Sequence, residues 1–454
     1  MGKLYEKSIY PLTQQNKSIK SCLQSTSVRS ITIAFFPVIF FTFVLEISLK
    51  YMNKIIFPFY FLLTLSACAF APPKLDLPNK IDVVSDIEPF LLNATEKGFP
   101  PSISLAIIYR DKEQYSHHIG YTDFSKNNQV SEDTVYQWWS LTKIFTAVAI
   151  LQLQEKGLLN IDNPVVKHLP YFSVTHLNEK SAPITIRQLL SHSSGLGDVG
   201  ISILGWIHFE DDAKVNQTEF LKEKLPGYNK LETQPGEEGR YSNIGYLVLA
   251  GVIESVSGES YEDYIVKNIL SPLRMHKTNF VYTDTMTEFE AVGSHPKDAL
   301  SYIVPFFIDT DRAIKEEHDG RMWFNRVYSD QQGATGLIGS TADMVKFMKA
   351  LLSGGVLNGE RILSEKSVLA MQSPVITVND SPAPHSEGLE FGLGWFVGHS
   401  QSGKELTHSG AGMGFVTTLR LYPEKGVGVI VFSNSTYLGR SMGHDIVNLV
   451  GAVK

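Results

Sequence analysis

A lysine stands among aliphatic residues in the segment VYQWWSLTKIFTAVAILQLQEKG, which covers residues 135–157. If a helix begins at Ser140, Lys143 lies on the same face of it, about one turn further on. A helix that is apolar on every face is normally buried, and burial of an unpaired ammonium group costs several kcal/mol. Lys143 is therefore expected to be paired, neutral or placed in a cleft.

The spacing of Ser140 and Lys143 could support nucleophilic catalysis. An unperturbed lysine has a pKa near ~10.4, and both desolvation and the positive end of a helix dipole lower that pKa. A lysine with a lowered pKa could accept the proton of Ser140, while backbone N–H groups at the helix start could stabilise an oxyanion. Taken alone, the spacing also fits an N-cap serine followed by a lysine that reaches solvent. The other Ser-x-x-Lys match, Ser294–Lys297, contains a proline and is predicted to be a loop.

Two further segments carry candidate site residues. GRYSNIGY (239–246) places Tyr241 and Asn243 where a loop is predicted to lead into a helix. LTHSGAGMGF (406–415) places His408 and Gly410 just before a predicted strand.

Read in order, the three motifs resemble those of the serine β-lactamase and penicillin-binding-protein superfamily, in particular its class C β-lactamase, D-aminopeptidase and esterase branch. The resemblance covers roughly residues 85–450 and includes the supporting segments TIRQLLSHSSGL (185–196) and GLIGSTADMVKF (336–347). It implies an acyl-enzyme mechanism in which Ser140 is the nucleophile and Lys143 shares the general-base role with Tyr241. Asn243 would orient the lysine and contact the substrate.

The resemblance also implies an oxyanion hole formed by the backbone N–H groups of Ser140 and Ala411, with Gly410 letting its strand approach the substrate closely. The third motif departs from the Lys-Thr-Gly of many family members, because His408 replaces the lysine. A neutral histidine anchors a substrate carboxylate poorly, whereas a protonated one could serve. This departure disfavours efficient β-lactam hydrolysis and leaves acyl transfer possible.

We therefore predict a serine hydrolase that acts on small esters or amides. The alternatives are a D-Ala-D-Ala carboxypeptidase, D-aminopeptidase or weak β-lactamase acting on cell-wall substrates, and a non-catalytic binding protein on the same fold. The formal charge of −7 and the absence of a long basic run argue against a nucleic-acid partner. No cofactor or metal is implied: His192 has no suitably spaced partner, and the adjacent His117 and His118 point to opposite faces of a predicted strand.

The predicted fold is of the α/β (α+β) class. Strands are expected at both ends of the chain, at SISLAIIYR (102–110), FGLGWFVG (391–398), MGFVTTLRLYP (413–423) and VGVIVFSNS (427–435). Helices are expected from Ser140, over 184–196, 241–258 and 340–355, and in a last stretch, GHDIVNLVGAV. This order predicts one mostly antiparallel sheet flanked by helices, with a helical subdomain inserted over roughly residues 125–340.

The chain before residue 85 has a different character. An apolar run (31–48) precedes a segment (52–73) with the layout of a signal peptide: Met52, a lysine, an apolar core, and a lipobox-like end at Cys68. We expect translation to begin at Met52 and Cys68 to be lipidated, which would tether the protein to the bacterial cell envelope; a second membrane segment is the alternative. The predicted divisions are an upstream extension (1–51), a lipoprotein signal peptide (52–68), a linker (69–84) and the hydrolase domain (85–454).

Overall fold

A computed structural model describes residues 100–436 and a few residues between 88 and 95. The positions left out of this description between 100 and 436 are 110–111, 179–180, 201–204, 299–300, 302–303, 382–387 and 401–402. The predictions for residues 1–84, including Cys68, and for the helix in GHDIVNLVGAV fall outside the described residues. Within the described part of the chain, no helix combines the length and the apolar character needed to cross a bilayer.

A nine-stranded sheet forms the largest element, and most of its strands come from the two ends of the described chain. The strands of all sheets in the described chain, in sequence order, are β1 (Ser102–Tyr109), β2 (Lys112–Gly120), β3 (Val135–Gln137), β4 (Ile207–Phe209), β5 (Gly239–Arg240), β6 (Thr278–Asn279), β7 (Ser294–Pro296), β8 (Ile314–His318), β9 (Arg321–Phe324), β10 (Val327–Ser329), β11 (Ile338–Ser340), β12 (Val356–Leu357), β13 (Glu360–Arg361), β14 (Ile376–Asp380), β15 (Glu390–Phe391), β16 (Phe396–Ser400), β17 (Gly403–Gly412), β18 (Phe415–Tyr422) and β19 (Val427–Ser433).

The spatial order of the large sheet is β2-β1-β19-β18-β17-β16-β15-β14-β5. Its neighbours pair antiparallel except β14 and β5, which are parallel. Strands β18 and β19 are buried along almost their whole length, as expected for β-branched runs with both sheet faces covered. The sequence-based prediction of a mostly antiparallel sheet is therefore confirmed.

Ten α-helices of the described chain lie between β2 and β14. They are α1 (Thr142–Glu155), α2 (Ile186–Leu190), α3 (Gln217–Lys224), α4 (Asn243–Ser257), α5 (Tyr261–Ile265), α6 (Asp284–Thr287), α7 (Thr310–Ala313), α8 (Gln332–Thr335), α9 (Thr341–Leu352) and α10 (Glu365–Met371). Helix α1 is buried from Thr142 to Leu153, as its all-round apolar sequence predicts, and it packs against α4 and α8. Helix α9 begins at the N-cap Ser340 and packs against β1 and β19.

Three local predictions were wrong. FGLGWFVG is not one strand, because a left-handed glycine, Gly394 (φ +83°), separates β15 from β16. The helix over 184–196 spans only Ile186–Leu190, since the chain turns at His192 (φ +53°) before it reaches Gly195. His408 and Gly410 lie inside β17, not before a strand.

Candidate active site

Ser140 lies in a single 3₁₀ turn, Trp139–Leu141, that leads directly into α1. The preceding Trp139 has φ +48°, a left-handed conformation that is rare for a bulky residue and is often found at functional sites. Two hydroxyl groups hold this turn: Thr142 Oγ1 donates to the Trp139 carbonyl at 2.7 Å, and Thr417 Oγ1 donates to the Trp138 carbonyl at 3.0 Å. The sequence placed Ser140 in the first turn of the α-helix; it stands just before that turn.

Lys143 is fully buried, and its amine joins three elements of the fold. Lys143 Nζ lies 3.1 Å from Ser140 Oγ, 2.7 Å from Asn243 Oδ1 and 3.0 Å from the carbonyl oxygen of Ala334 in α8. Burial lowers the pKa of Lys143 to about 7, and the negative charge of Asp198 opposes that shift. The predicted proximity of Ser140 and Lys143 is confirmed.

The Tyr-Ser-Asn motif starts helix α4. Ser242 is the N-cap, and its hydroxyl accepts a hydrogen bond from the N–H of Gly245 at 3.2 Å. Asn243 is therefore the first helical residue, with its side chain directed at Lys143. Tyr241 lies just before the helix, and its ring centre is 5.0 Å from Lys143 Nζ. The structure thus brings Tyr241 and Asn243 to Lys143, which itself contacts Ser140.

His192 contacts the segment that carries the Tyr-Ser-Asn motif through both its ring and its backbone. Its ring stacks on Tyr241 with centroids 4.5 Å apart, and its Nδ1 accepts the backbone N–H of Ser242 at 3.1 Å. Its carbonyl oxygen accepts the N–H of Arg240 at 2.8 Å. Burial, and then the charge of Lys143, lower the pKa of His192 well below its usual value, which keeps Nδ1 available as an acceptor. The sequence offered no metal-binding partner for His192 and no reason to place it beside Tyr241.

His408 lies on β17, with its ring centroid 6.2 Å from that of Tyr241. Its Nδ1 donates to the carbonyl oxygen of Ser409 at 3.0 Å, so in the neutral ring Nε2 carries no proton. Burial and the charge of Lys143 lower the pKa of His408 to about 3. Nε2 is buried and has no hydrogen-bond partner among the described residues. His408 is therefore neutral at physiological pH.

Gly410 brings β17 against the Ser140 turn. A Cβ atom at this position would lie 2.1 Å from the Trp138 carbonyl oxygen and 3.0 Å from the Ser140 nitrogen. Gly412, two residues on, likewise leaves room for the indole of Trp139, which would lie 2.4 Å from an added Cβ. Gly410 therefore allows a close approach between β17 and the backbone of the Ser140 turn. The close approach of this strand to a substrate stays a prediction. Ala411 lies between the two glycines and is exposed.

Sequence reasoning missed Asp198. Its carboxylate accepts the backbone N–H of Asn243 at 2.9 Å and the Asn243 side-chain amide at 3.1 Å through each oxygen. A signal was present, since Asp198 is the only Asp, Glu, Lys or Arg between Arg187 and Glu210. A single acid in a long uncharged segment is expected to have a specific partner.

Comparison with known proteins places this geometry in a family. A family model described as Beta-lactamase matches residues 93–453, so the chain belongs to this family of serine hydrolases. Among curated relatives, Protein flp of Staphylococcus aureus (strain MW2) is 27% identical over 374 residues, which is 81% of this chain and 67% of that protein.

Two solved structures have similar folds. The octameric penicillin-binding protein homologue from Pyrococcus abyssi is 27% identical with a TM-score of 0.63, covering 82% of this chain and 78% of that one. EstCE1, described as a hydrolase with promiscuous acyltransferase activity, is 20% identical with a TM-score of 0.63, covering 81% of this chain and 98% of its own. These structures confirm the predicted fold class, and the family match confirms the prediction of a serine hydrolase.

Proposed function

We propose that this hydrolase cleaves small esters or amides through an acyl-enzyme on Ser140, with Lys143 as the proton acceptor. The observation that carries the proposal is the set of three contacts around Lys143 Nζ. A neutral amine has two N–H donors and one lone pair. The oxygens of Asn243 and Ala334 take the two donors, at 2.7 and 3.0 Å, which leaves the lone pair for the hydroxyl of Ser140 at 3.1 Å.

In the acylation step, the Ser140 hydroxyl transfers its proton to Lys143 as Oγ forms a bond to the substrate carbonyl carbon. The N–H groups of Ser140 and Ala411 stabilise the oxyanion, and collapse of the intermediate breaks the bond to the leaving group. The leaving group takes up the proton held by Lys143, with Tyr241 as the relay. Water then attacks the acyl carbon and gives a proton to Lys143; the bond from that carbon to Ser140 Oγ breaks, Oγ takes up the proton, and the acid is released.

The neutral state of His408 supports uncharged substrates. A lysine at this position could pair with a substrate carboxylate, whereas a histidine with a pKa of about 3 cannot. The described activity of EstCE1, as a hydrolase and acyltransferase on a similar fold, agrees with acyl transfer to and from a serine. We therefore favour esters and amides without a carboxylate next to the cleaved bond.

Hydrolysis of p-nitrophenyl butyrate by the purified protein, wild type against Ser140→Ala, tests this proposal. We expect turnover in the wild type, its loss in the variant, and a butyryl adduct on Ser140 in the intact mass of the acid-quenched wild type. A variant that turns over substrate at the wild-type rate would contradict the assigned nucleophile. Turnover by the wild type without any adduct would contradict a populated acyl-enzyme.

The second candidate is a cell-wall activity, favoured by the likeness to a penicillin-binding protein homologue. It would make the protein a D-Ala-D-Ala carboxypeptidase, a D-aminopeptidase or a weak β-lactamase. D-amino-acid amides and a D-Ala-D-Ala peptide, assayed beside the ester, separate the two. Faster turnover of the D-Ala-D-Ala peptide than of its C-terminal amide would show that a free carboxylate is recognised, against the argument from His408.

We also propose that the enzyme is tethered to the cell envelope through a lipid on Cys68. The support is the sequence alone: a short apolar core followed by Leu-Ser-Ala-Cys. Growth with labelled palmitate should label the wild type and leave Cys68→Ala unlabelled, with a mature N-terminus at residue 68. A native protein whose mass includes residues before 68 would contradict the proposal.

A further inference from the structure

Asn243 is held by the loop that follows α2, over residues 191–198. Ser242 Oγ donates to the Gly197 carbonyl at 3.0 Å, and Asp198 takes both the backbone and the side-chain N–H groups of Asn243. The loop packs closely against the segment at Thr233, because a Cβ at Gly195 would lie 2.2 Å from the Thr233 carbonyl oxygen. Asp198 is thus presented to Asn243 from a closely packed loop.

The orientation of the Asn243 amide depends on this contact. An asparagine side chain has one oxygen and one nitrogen end, and only the oxygen can accept from Lys143. Because Asp198 accepts at both carboxylate oxygens, at 3.1 Å each, it takes the nitrogen end and turns Oδ1 toward Lys143. Every partner recorded for this carboxylate is an N–H donor, including the backbone of Val199. Burial raises the pKa of Asp198, while these hydrogen bonds and the charge of Lys143 favour the ionised acid.

We propose that Asp198 is a positioning residue for the catalytic lysine: it orients Asn243 and provides the counter-charge of Lys143. The inference rests on the proposed function, in which Lys143 accepts the proton of Ser140. The loop after α2 then controls both the orientation and the proton affinity of Lys143.

Of the described groups around Lys143, Asp198 is the one that provides a negative charge. Tyr241 and Tyr246 face the amine with their rings, 5.0 and 5.6 Å from Nζ. Burial raises the pKa of Tyr246 well above its usual value, and burial lowers the pKa values of the two histidines, 192 and 408, so these three groups are neutral near pH 7. Among the described residues, Asp198 is the acid whose charge favours the protonated lysine.

The loss of the Asp198 charge is expected to shift the pH dependence of kcat/KM in a definite direction. Protonation of Lys143 removes the base, so kcat/KM falls on the acid side as pH drops through the pKa of Lys143. Asp198→Asn removes the charge that favours protonation, so the pKa falls and the acid limb moves to lower pH, by about one unit. The maximal rate also falls, roughly tenfold, because the new amide can no longer accept at both ends and Asn243 loses its fixed orientation.

The experiment measures kcat/KM for p-nitrophenyl butyrate against pH in wild type, Asp198→Asn and the control Glu232→Gln. Glu232 contacts the same loop at Gly197 but forms an exposed ion pair with Arg240 at 3.0 Å, so its removal is expected to leave the acid limb in place. In parallel, lysine-selective ¹³Cε NMR follows the titration of Lys143 itself, with its signal assigned by loss in Lys143→Met. If Asp198→Asn does not fold, Asp198→Ser keeps one acceptor without the charge.

A downward shift of the Lys143 midpoint in the variant supports the inference, and an unchanged midpoint overturns it. A rate that falls equally at all pH values, with no movement of the midpoint, would mean that Asp198 acts only as a structural support. A shifted midpoint with an unmoved acid limb leaves the role of Asp198 intact and instead contradicts Lys143 as the base. The failures of the two proposals are therefore distinguishable.

Discussion

On one side of Ser140 the site is made of backbone, and on the other side it is made of side chains. The side that we propose stabilises the oxyanion, here called the oxyanion side, consists of the Ser140 turn and β17, where Gly410 brings two backbones closer than any Cβ would allow. The side that we propose transfers the proton, here called the proton-transfer side, consists of Lys143, Asn243 and Asp198, joined by hydrogen bonds between side chains. The first side is fixed by packing and tolerates no added atom, whereas the second can be tuned by changing one charge.

The largest effect is expected when the proton-transfer side loses its base. Lys143→Met keeps the length of the side chain and removes the amine, so Ser140 has no proton acceptor at 3.1 Å. We expect kcat for p-nitrophenyl butyrate to drop by roughly three orders of magnitude or more. Circular dichroism should remain that of the wild type, because a methionine fills the same buried volume.

The matched control is Lys156→Met, at the other end of the same helix. Lys156 is the C-cap of α1 and is exposed, with its Nζ 3.2 Å from Asn268 Oδ1. Its loss should leave kcat within about twofold of the wild type, since exposed polar contacts contribute little. Similar losses in the two variants would show that α1 tolerates no change of lysine, and would remove the argument for a base at position 143.

On the oxyanion side, one added methyl group should have the next largest effect. Gly410→Ala places a Cβ 2.1 Å from the Trp138 carbonyl oxygen, so either the turn or β17 must move. A displacement of about 1 Å in the reacting groups can cost 10²-fold in rate, and we expect a drop of that order in kcat/KM. The free energy of unfolding should also fall, by about 1–3 kcal/mol.

Gly227→Ala is the corresponding control, because no atom lies within 4 Å of a Cβ built there and its φ is not in the left-handed region. It should match the wild type in both kcat/KM and unfolding. Full activity of Gly410→Ala would contradict the view that this side of the site is fixed by close backbone packing.

A smaller effect is expected at His192, which supports the proton-transfer side by two separate contacts. His192→Asn keeps a hydrogen-bond acceptor, and asparagine tolerates the φ of +53° at this position. His192→Phe keeps a ring that stacks on Tyr241, but it leaves the N–H of Ser242 without an acceptor. An unsatisfied buried N–H costs about 1–3 kcal/mol. We expect His192→Phe to lower kcat roughly tenfold and His192→Asn to lower it less, in a steady-state assay. The reverse order would mean that stacking, not the hydrogen bond, positions Tyr241.

The sequence predicted the regular parts of the fold because their periodicity is local. Apolar β-branched runs gave β1, β18 and β19, and the all-apolar stretch after Ser140 gave α1. The three motifs likewise predicted which side chains meet at the site, since their spacing along the chain is typical of the family. These predictions needed no knowledge of the contacts between distant segments.

The predictions that failed concern features that depend on contacts between segments distant in the sequence. The turn at His192 is stabilised by Ser242 and Arg240, about 50 residues further along the chain. LTHSGAG has little β-branched character, and it becomes strand β17 because it pairs with β16 and β18 on its two sides. Asp198 was missed because its partner, Asn243, was assigned only to the lysine and the substrate.

The smallest expected effect again falls on the oxyanion side, at the hydroxyl that holds the Ser140 turn. Thr417→Val is nearly isosteric and removes the hydroxyl that donates to the Trp138 carbonyl at 3.0 Å and lies 3.4 Å from the Gly410 carbonyl. The N–H of Leu141 still donates to the Trp138 carbonyl at 3.2 Å. We expect urea unfolding to show a loss of about 1 kcal/mol, and kcat to fall only a few-fold, because the glycine contacts still fix the turn. The control Thr418→Val removes a hydroxyl from the opposite face of β18, where Oγ1 lies 3.3 Å from Ser409 Oγ, and should leave kcat unchanged. A hundredfold loss in Thr417→Val would mean that a side-chain hydrogen bond, rather than close backbone packing, fixes the oxyanion side, and the contrast between the two halves of the site would no longer hold.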